Sequence, residues 1–287
     1  MGAGHVPALE SPGALASLGT RLNALCDAHA FHTGWYLKDL QTGAEADRHG
    51  DVVVPSASTR KISILMAVLK WVREGRLSLE QPVTIEARYQ TSSSGCFQHF
   101  RSGFIITLHD ALVMMIVVSD NACTGTIADM VGLDTFNDYC RAVGMRGTTH
   151  RYGIPSSRDP HVNETTPKDV GLLLDFILLG STDPSAAAGL GVTPELCRLA
   201  VDILSWQQLN TRIPLLLPAG TRVAHKTGTG GDRFNDAGIV YRGDAPRFIL
   251  TVYTSRVPRE LPDGTSAPGA TSLLIGRMAR ACWDALP

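Results

Sequence analysis

Three short strings hold the side chains of this 287-residue chain that could do chemistry: Ser58-Thr59-Arg60-Lys61, Ser119-Asp120-Asn121 and Lys226-Thr227-Gly228. In that order they supply a nucleophile, two amines, a second hydroxyl and a carboxamide, the inventory of a serine acyl-transfer site without a histidine base. A serine hydroxyl attacks poorly until a base takes its proton, and a lysine is a base only when its amine is neutral. Burial and nearby positive charge both favour the neutral amine. Lys61, on an apolar helix with Lys226 across a cleft, meets both conditions. Ser119 would relay a proton to the leaving group, Asn121 would hold a substrate amide, and Lys226 with Thr227 would bind a carboxylate. Gly228 lets the backbone approach the acyl group. Each string also has a plainer reading. Ser58 can be a helix cap and Lys61 a snorkelling side chain, Ser, Asp and Asn all cap helices, and a strand ending in glycine is ordinary. All three in order along one chain favour the joint reading.

The elements that must position them follow from periodicity. Apolar residues at helical spacing (Leu18, Leu22, Leu25, Cys26) predict a helix over Ala16–Ala30, after a Gly- and Pro-rich start. Strand-like runs follow at His32–Leu37 and Ala44–His49, turning at Gln41-Thr42-Gly43. A strongly apolar helix is expected over Ser58–Glu74, closed by Gly75. It would place Lys61 one turn after Ser58 on the same face. A Thr107–Asp110 capping box opens a helix to Val118, and another runs from Asn121 to Met130, so Ser119-Asp120-Asn121 falls at their junction. Further helices are expected over Leu133–Ala142, Lys168–Leu179, Thr193–Leu204 and Ala270–Ala285. Strand character returns at Thr221–Lys226, Asp236–Tyr241 and Arg247–Thr254. The tract Arg151–Thr166 lacks periodicity and reads as an ordered surface loop. Strands at both ends with helices between them imply an α/β (α+β) fold, with an antiparallel sheet built from both termini. The lobes would be residues 1–56 with 215–287 around the sheet, and an inserted all-helical lobe of 57–214.

Bulk properties admit such an enzyme and exclude other classes. A hydrophobic content of 44% fills a sizeable core, and a formal net charge of −1 gives no electrostatic footprint for nucleic acid or an anionic membrane. The expected partner is a small molecule bearing a carboxylate, acted on by a monomer. The six cysteines are widely spaced without a Cys-x-x-Cys, which points to neither a zinc site nor a disulfide framework. The first residues lack a signal peptide's basic end and apolar run, so the expectation is cytoplasmic as the chain stands, or periplasmic or secreted if a leader was removed.

Beyond the three strings, Val117-Val118-Ser119-Asp120-Asn121-Ala122, Leu217-Pro218-Ala219-Gly220, Val223-Ala224-His225-Lys226-Thr227-Gly228-Thr229, Asn235-Asp236-Ala237-Gly238-Ile239-Val240 and Thr165-Thr166-Pro167 carry a resemblance to the class A β-lactamase family, among the penicillin-recognising serine hydrolases. It covers most of Ala16–Leu286. The resemblance implies the β-lactamase/transpeptidase-like fold with a five-stranded sheet, Ser58 as acylated nucleophile, Lys61 as base and Ser119 as proton shuttle. It further implies Asn121 on the substrate amide, Lys226, Thr227 and Gly228 at the carboxylate side, and backbone N–H groups of Ser58 and Thr229 as oxyanion hole. Neither metal nor organic cofactor is implied. Tyr89–Arg101, with Gln90, Ser92, Ser93, Cys96, Phe97 and His99, would border the cleft. His225 would tune Lys226 or face the other way, and Arg212 would add positive charge.

One departure stands out. The family's Ω loop carries a glutamate within Glu-x-x-Leu-Asn that activates water for deacylation, and Arg151–Pro167 lacks that string. Glu164 and Asp159 are the carboxylates that could replace it, or they simply tie the loop. Acylation is thus provided for and deacylation is not. Three outcomes are expected: hydrolysis of a β-lactam or related amide or ester, transfer to a non-water acceptor as in a transacylase, DD-peptidase or esterase, or a β-lactam-binding or sensing protein that stays acylated.

Overall fold

The computed structural model describes residues 12–91, 94–154 and 162–286. Ser92, Ser93 and Asp159, named above, lie outside them. The strands are β1 (His32–Asp39), β2 (Glu45–Arg48), β3 (Val54–Pro55), β4 (Pro82–Thr84), β5 (Ile105–Thr107), β6 (Glu164–Thr165), β7 (Val223–Gly230), β8 (Arg233–Arg242) and β9 (Ala245–Ser255). The helices are α1 (Pro12–Asp27), α2 (Lys61–Arg73), α3 (Leu108–Val117), α4 (Asn121–Val131), α5 (Leu133–Ala142), α6 (Pro167–Gly180), α7 (Pro184–Gly189), α8 (Pro194–Ser205) and α9 (Ala267–Ala285).

Five strands form one antiparallel sheet in the order β2-β1-β9-β8-β7, so the N-terminal hairpin and the C-terminal meander meet along β1 and β9. The meander is set locally. Gly231-Asp232 and Gly243-Asp244 each separate two strands by two residues, and both glycines have positive φ, as tight hairpins require. The fold is thus mixed α/β with the expected antiparallel sheet. The pairs β3–β6 and β4–β5 add two small ribbons.

The large sheet is apolar on both faces. Trp35, Leu37, Val240, Phe248, Leu250 and Val252 pack with α1 and α9, while Ala224, Ala237, Ile239, Ile249 and Tyr253 join the core of α2 to α8. This double burial explains why β8 and β9 read as almost continuous apolar runs. Helix α6 seats against the sheet, with Thr251 Oγ1 donating to Pro167 O at 2.8 Å and Lys38 Nζ meeting Asp175 Oδ2 at 2.7 Å. Helix α2 is buried almost all round: Ile62, Ile64, Leu65, Met66, Val68 and Leu69 are fully enclosed, which accounts for its unbroken hydrophobicity. Thr107 caps α3 by accepting the Asp110 N–H at 3.1 Å.

The tract read as a loop contains a short strand, β6, whose Thr165 pairs with Val54 and Glu164 with Pro55. Two residues are too short for periodicity to register. Helix α7, one and a half turns capped by Asp183, went unforeseen for the same reason.

Candidate active site

Ser58 lies in a 3₁₀ turn, Ala57–Arg60, that leads directly into α2. The turn is tied to the sheet from several sides. Asn235 Nδ2 donates to Pro55 O at 3.0 Å, and Tyr253 Oη donates to Thr59 Oγ1 (2.9 Å), which donates to Ser56 O (2.7 Å). Ala57, just before the nucleophile candidate, holds φ at 46°, a strained left-handed value for a residue with a side chain. Strand β7 presses against the same turn. A Cβ at Gly228 would stand 3.0 Å from Ser56 O and 3.1 Å from Ser58 N, so glycine is what allows this approach.

Lys61, the first residue of α2, is 1% exposed. Its Nζ donates to Ser119 O (2.8 Å), Ser119 Oγ (3.1 Å) and Asn121 Oδ1 (2.9 Å). The first and second strings therefore meet at one amine. Among the described residues no hydrogen bond joins Lys61 to Ser58 directly, although both line one cavity. Burial lowers the Lys61 pKa well below that of a free lysine, and the Lys226 and Arg60 charges lower it further, against Asp120.

The Ser119 junction is held by Asp120. Its Oδ1 accepts the Cys123 N–H (3.0 Å) at the start of α4, and its Oδ2 accepts the Cys96 and Phe97 N–H groups (2.8 and 2.9 Å). One buried carboxylate thereby fixes both the helix start and the neighbouring 94–100 segment. Ser94 Oγ also donates to Ser119 O at 2.9 Å, and Ser119 keeps φ at 57°. Such backbone strain persists only where the surroundings enforce it.

Lys226 and Thr227 lie within β7, at an edge of the sheet, and Lys226 is fully buried with its Nζ donating to Thr227 O at 2.8 Å. Burial brings the Lys226 pKa down to about 7, with Asp236 opposing the shift and Arg212 adding to it. Arg212 reaches the strand from the segment after α8. It donates to Gly228 O at 2.9 Å and also bonds Asn235 O and Thr229 Oγ1. His225 faces Asp236 (Nδ1 to Oδ1, 2.9 Å) and Asn210 (Nε2 to Oδ1, 2.9 Å). Burial pushes the Asp236 carboxyl up, but His225 and the other donors hold it below its ordinary value.

Pro55, Ser58, Arg60, Lys61, Asn121, Asn163, Thr229 and Arg233 are among the walls of a cavity of about 240 Å³. Asn163 anchors the incoming loop: its Oδ1 accepts the Arg151 and Tyr152 N–H groups (2.7 and 3.0 Å), and its carbonyl accepts the Ser56 N–H (2.9 Å). Arg60 is a buried wall of the cavity, bonded to Gly153 O and facing His150 Nδ1 at 3.3 Å, with no carboxylate partner among the described residues. Burial lowers its pKa to about 10 and that of His150 well below 6.5. Glu164, in β6, pairs with Arg151 at 2.7 Å and is not among the cavity walls. Arg60, Asn163 and Arg233 escaped the sequence reading. The first is hidden inside the Ser58–Lys61 string, and nothing in the spacing of the other two pointed to this cavity. No group of three or more His, Cys, Asp and Glu that could hold a metal occurs among the described residues, nor is any helix there long and apolar enough to cross a membrane.

A buried lysine touching a serine and an asparagine on a helix junction, beside an edge strand carrying Lys-Thr-Gly, marks the penicillin-recognising class of serine enzymes. Comparison with known proteins agrees. The family model described as β-lactamase enzyme family matches residues 17–286. The chain is 23% identical over 242 residues to β-lactamase CARB-4 of Pseudomonas aeruginosa, covering 82% of this chain and 81% of that one. It is 30% identical over 133 residues to a D-alanyl-D-alanine endopeptidase of Pseudomonas aeruginosa, covering 44% of this chain and 41% of that one. Among solved structures, the β-lactamase of Sphaerobacter thermophilus superposes with a TM-score of 0.81 at 28% identity, over 94% of this chain and 97% of that one. The chain belongs to the β-lactamase enzyme family and is a serine hydrolase in type.

Proposed function

We propose that this enzyme opens a β-lactam, or a related amide or ester, through an acyl-enzyme on Ser58, in the cleft between a sheet lobe (1–56 with 215–287) and a helical lobe (57–214). The observation that carries the reading is the Lys61 amine, buried, depressed in pKa and bonded to Ser119 Oγ and Asn121 Oδ1 in a cavity that Ser58 also lines. Neutral Lys61 takes the Ser58 proton as Oγ attacks the carbonyl. The developing oxyanion is met by the backbone N–H groups of Ser58, in the 3₁₀ turn, and of Thr229, in edge strand β7. The C–N or C–O bond breaks as Ser119 passes a proton to the leaving atom. Lys226 and Thr227 receive the substrate carboxylate, whose arrival favours the ammonium form of Lys226. Intact-protein mass spectrometry after mixing with a penicillin tests this. A mass increase that maps to Ser58 and is lost in Ser58→Ala is expected, and no adduct together with no turnover would sink the proposal.

A second reading concerns the acceptor. No described cavity wall is a carboxylate, and Glu164 is engaged by Arg151, so water lacks an evident base there. Transfer to an amine, as in a transacylase or DD-peptidase, accounts for that arrangement. Loss of the general base costs about 10²- to 10⁴-fold. Release of the adduct that quickens with added D-amino acid acceptor supports this reading, and release indifferent to acceptor argues for hydrolysis.

A further inference from the structure

The cavity around Ser58 is lined by three basic residues, Arg60, Lys61 and Arg233, and by no carboxylate among the described residues. Two of these side chains are occupied within the protein: Lys61 by Ser119 and Asn121, Arg60 by His150 and Gly153. Arg233 is placed differently. It opens β8 directly opposite Gly230 of β7, and its side chain is 32% exposed. Its ion pair is made through Nε, to Asp232 Oδ1 at 3.3 Å, and no partner among the described residues engages its two terminal nitrogens. Asp232 is itself shared, since its Oδ2 accepts the Arg256 N–H at 3.1 Å. The surroundings leave room for a ligand, because the β7 residue paired with Arg233 is Gly230 and the turn between them opens with Gly231. A side chain starting at Gly231 would meet no atom within 4 Å.

Position decides which half of a substrate would meet this guanidinium. Asn121 and Thr229 line the cavity, and they are the groups assigned above to the substrate amide and to the acyl carbonyl's oxyanion. Lys226 and Thr227, assigned to the other carboxylate, are buried and form no part of its lining. A planar guanidinium lining a cavity that has no carboxylate among its described walls suits a carboxylate.

We propose that Arg233 is an anion subsite for the acyl half of the substrate, so that preferred acyl donors carry a carboxylate there in addition to the one received by Lys226 and Thr227. This rests on the acyl-transfer reading of the same site.

Benzylpenicillin and carbenicillin differ by one carboxylate on the acyl side chain and make a matched pair of probes. The quantity to measure is the ratio of their second-order acylation rate constants, carbenicillin over benzylpenicillin, in the wild type, Arg233→Gln and Arg233→Lys. Arg233→Gln should lower the ratio about three- to tenfold, the range from a partly exposed ion pair to a charge-assisted hydrogen bond. Arg233→Lys should fall between, and added salt should shrink the wild-type ratio. A ratio unmoved by Arg233→Gln overturns the subsite. If neither penicillin acylates the wild type, calorimetric binding of phenylmalonate and phenylacetate to Ser58→Ala separates the two ideas. Arg233-dependent preference for phenylmalonate then keeps the subsite and overturns acyl transfer alone. Equal binding of the two acids overturns the subsite as well.

Discussion

Replacing Asp120 by alanine should cost far more than a lost helix cap. Its carboxylate accepts three backbone N–H groups, from Cys96, Phe97 and Cys123, and is fully buried. A cap alone is worth about 1 kcal/mol. Each hydrogen bond to an ionised acceptor contributes about 1.5–3 kcal/mol, and the donors left behind are buried, so with some water entering the space the loss should reach about 4–6 kcal/mol. For a chain of this size that corresponds to a fall in Tm of roughly 7–10 °C. Asp120→Asn keeps one acceptor oxygen but turns an NH₂ toward a backbone donor, and about half the loss is expected. Equilibrium urea unfolding gives the stability, and the rate of penicillin acylation gives the second readout. The junction that holds Ser119 and Asn121 against Lys61 is braced by the same carboxylate, so acylation should slow even under conditions where the variant is folded. A loss near 1 kcal/mol with normal acylation would show that Asp120 is only a helix cap.

Gly95 and Gly103 both have positive φ, but a Cβ at Gly95 would fall 2.1 Å from Asp120 Oδ2 and one at Gly103 would meet nothing within 4 Å. Gly103→Ala should cost about 1–2 kcal/mol, the left-handed strain alone, and Gly95→Ala several times that in the same unfolding assay. Lys226 is depressed to about 7 from 10.5, so the unfolded chain binds more protons across that window and stability should rise with pH from about 7 to 10.5. Its replacement by methionine should flatten that rise in pH-dependent unfolding, while wild-type capture of carboxylate substrates should weaken above about pH 7, seen as a rising KM. Glu164→Gln should change release of the Ser58 adduct by less than about threefold and stability by less than about 1 kcal/mol, as for a partly exposed ion pair. A 10²-fold slowing would instead identify it as the deacylation base.

What the sequence made legible and what it hid follow from how each feature is encoded. The long amphipathic and buried helices, the capping box at Thr107 and the terminal strands announce themselves through local period and composition, and an antiparallel sheet built from both termini followed from strands at both ends of the chain. Strand β7 was read four residues short, ending at Lys226 rather than Gly230, because glycines at 228 and 230 look like punctuation. Their purpose is tertiary, since Gly228 is small so that the Ser58 turn can lie against it. Arg60 was equally opaque. Within Ser-x-x-Lys it occupies an unspecified position, and only the fold reveals a buried guanidinium bonded to Gly153 O, with no carboxylate partner among the described residues. Its charge, with that of Lys226, makes protonating Lys61 costlier, whereas Asp120 makes it easier. The neutral amine that the proposed attack needs therefore arises from burial and from cations contributed by the 3₁₀ turn before α2 and by β7. A residue's chemistry can be named from its type, but the field that sets its protonation state comes from neighbours up to 165 positions away, and only packing brings those together.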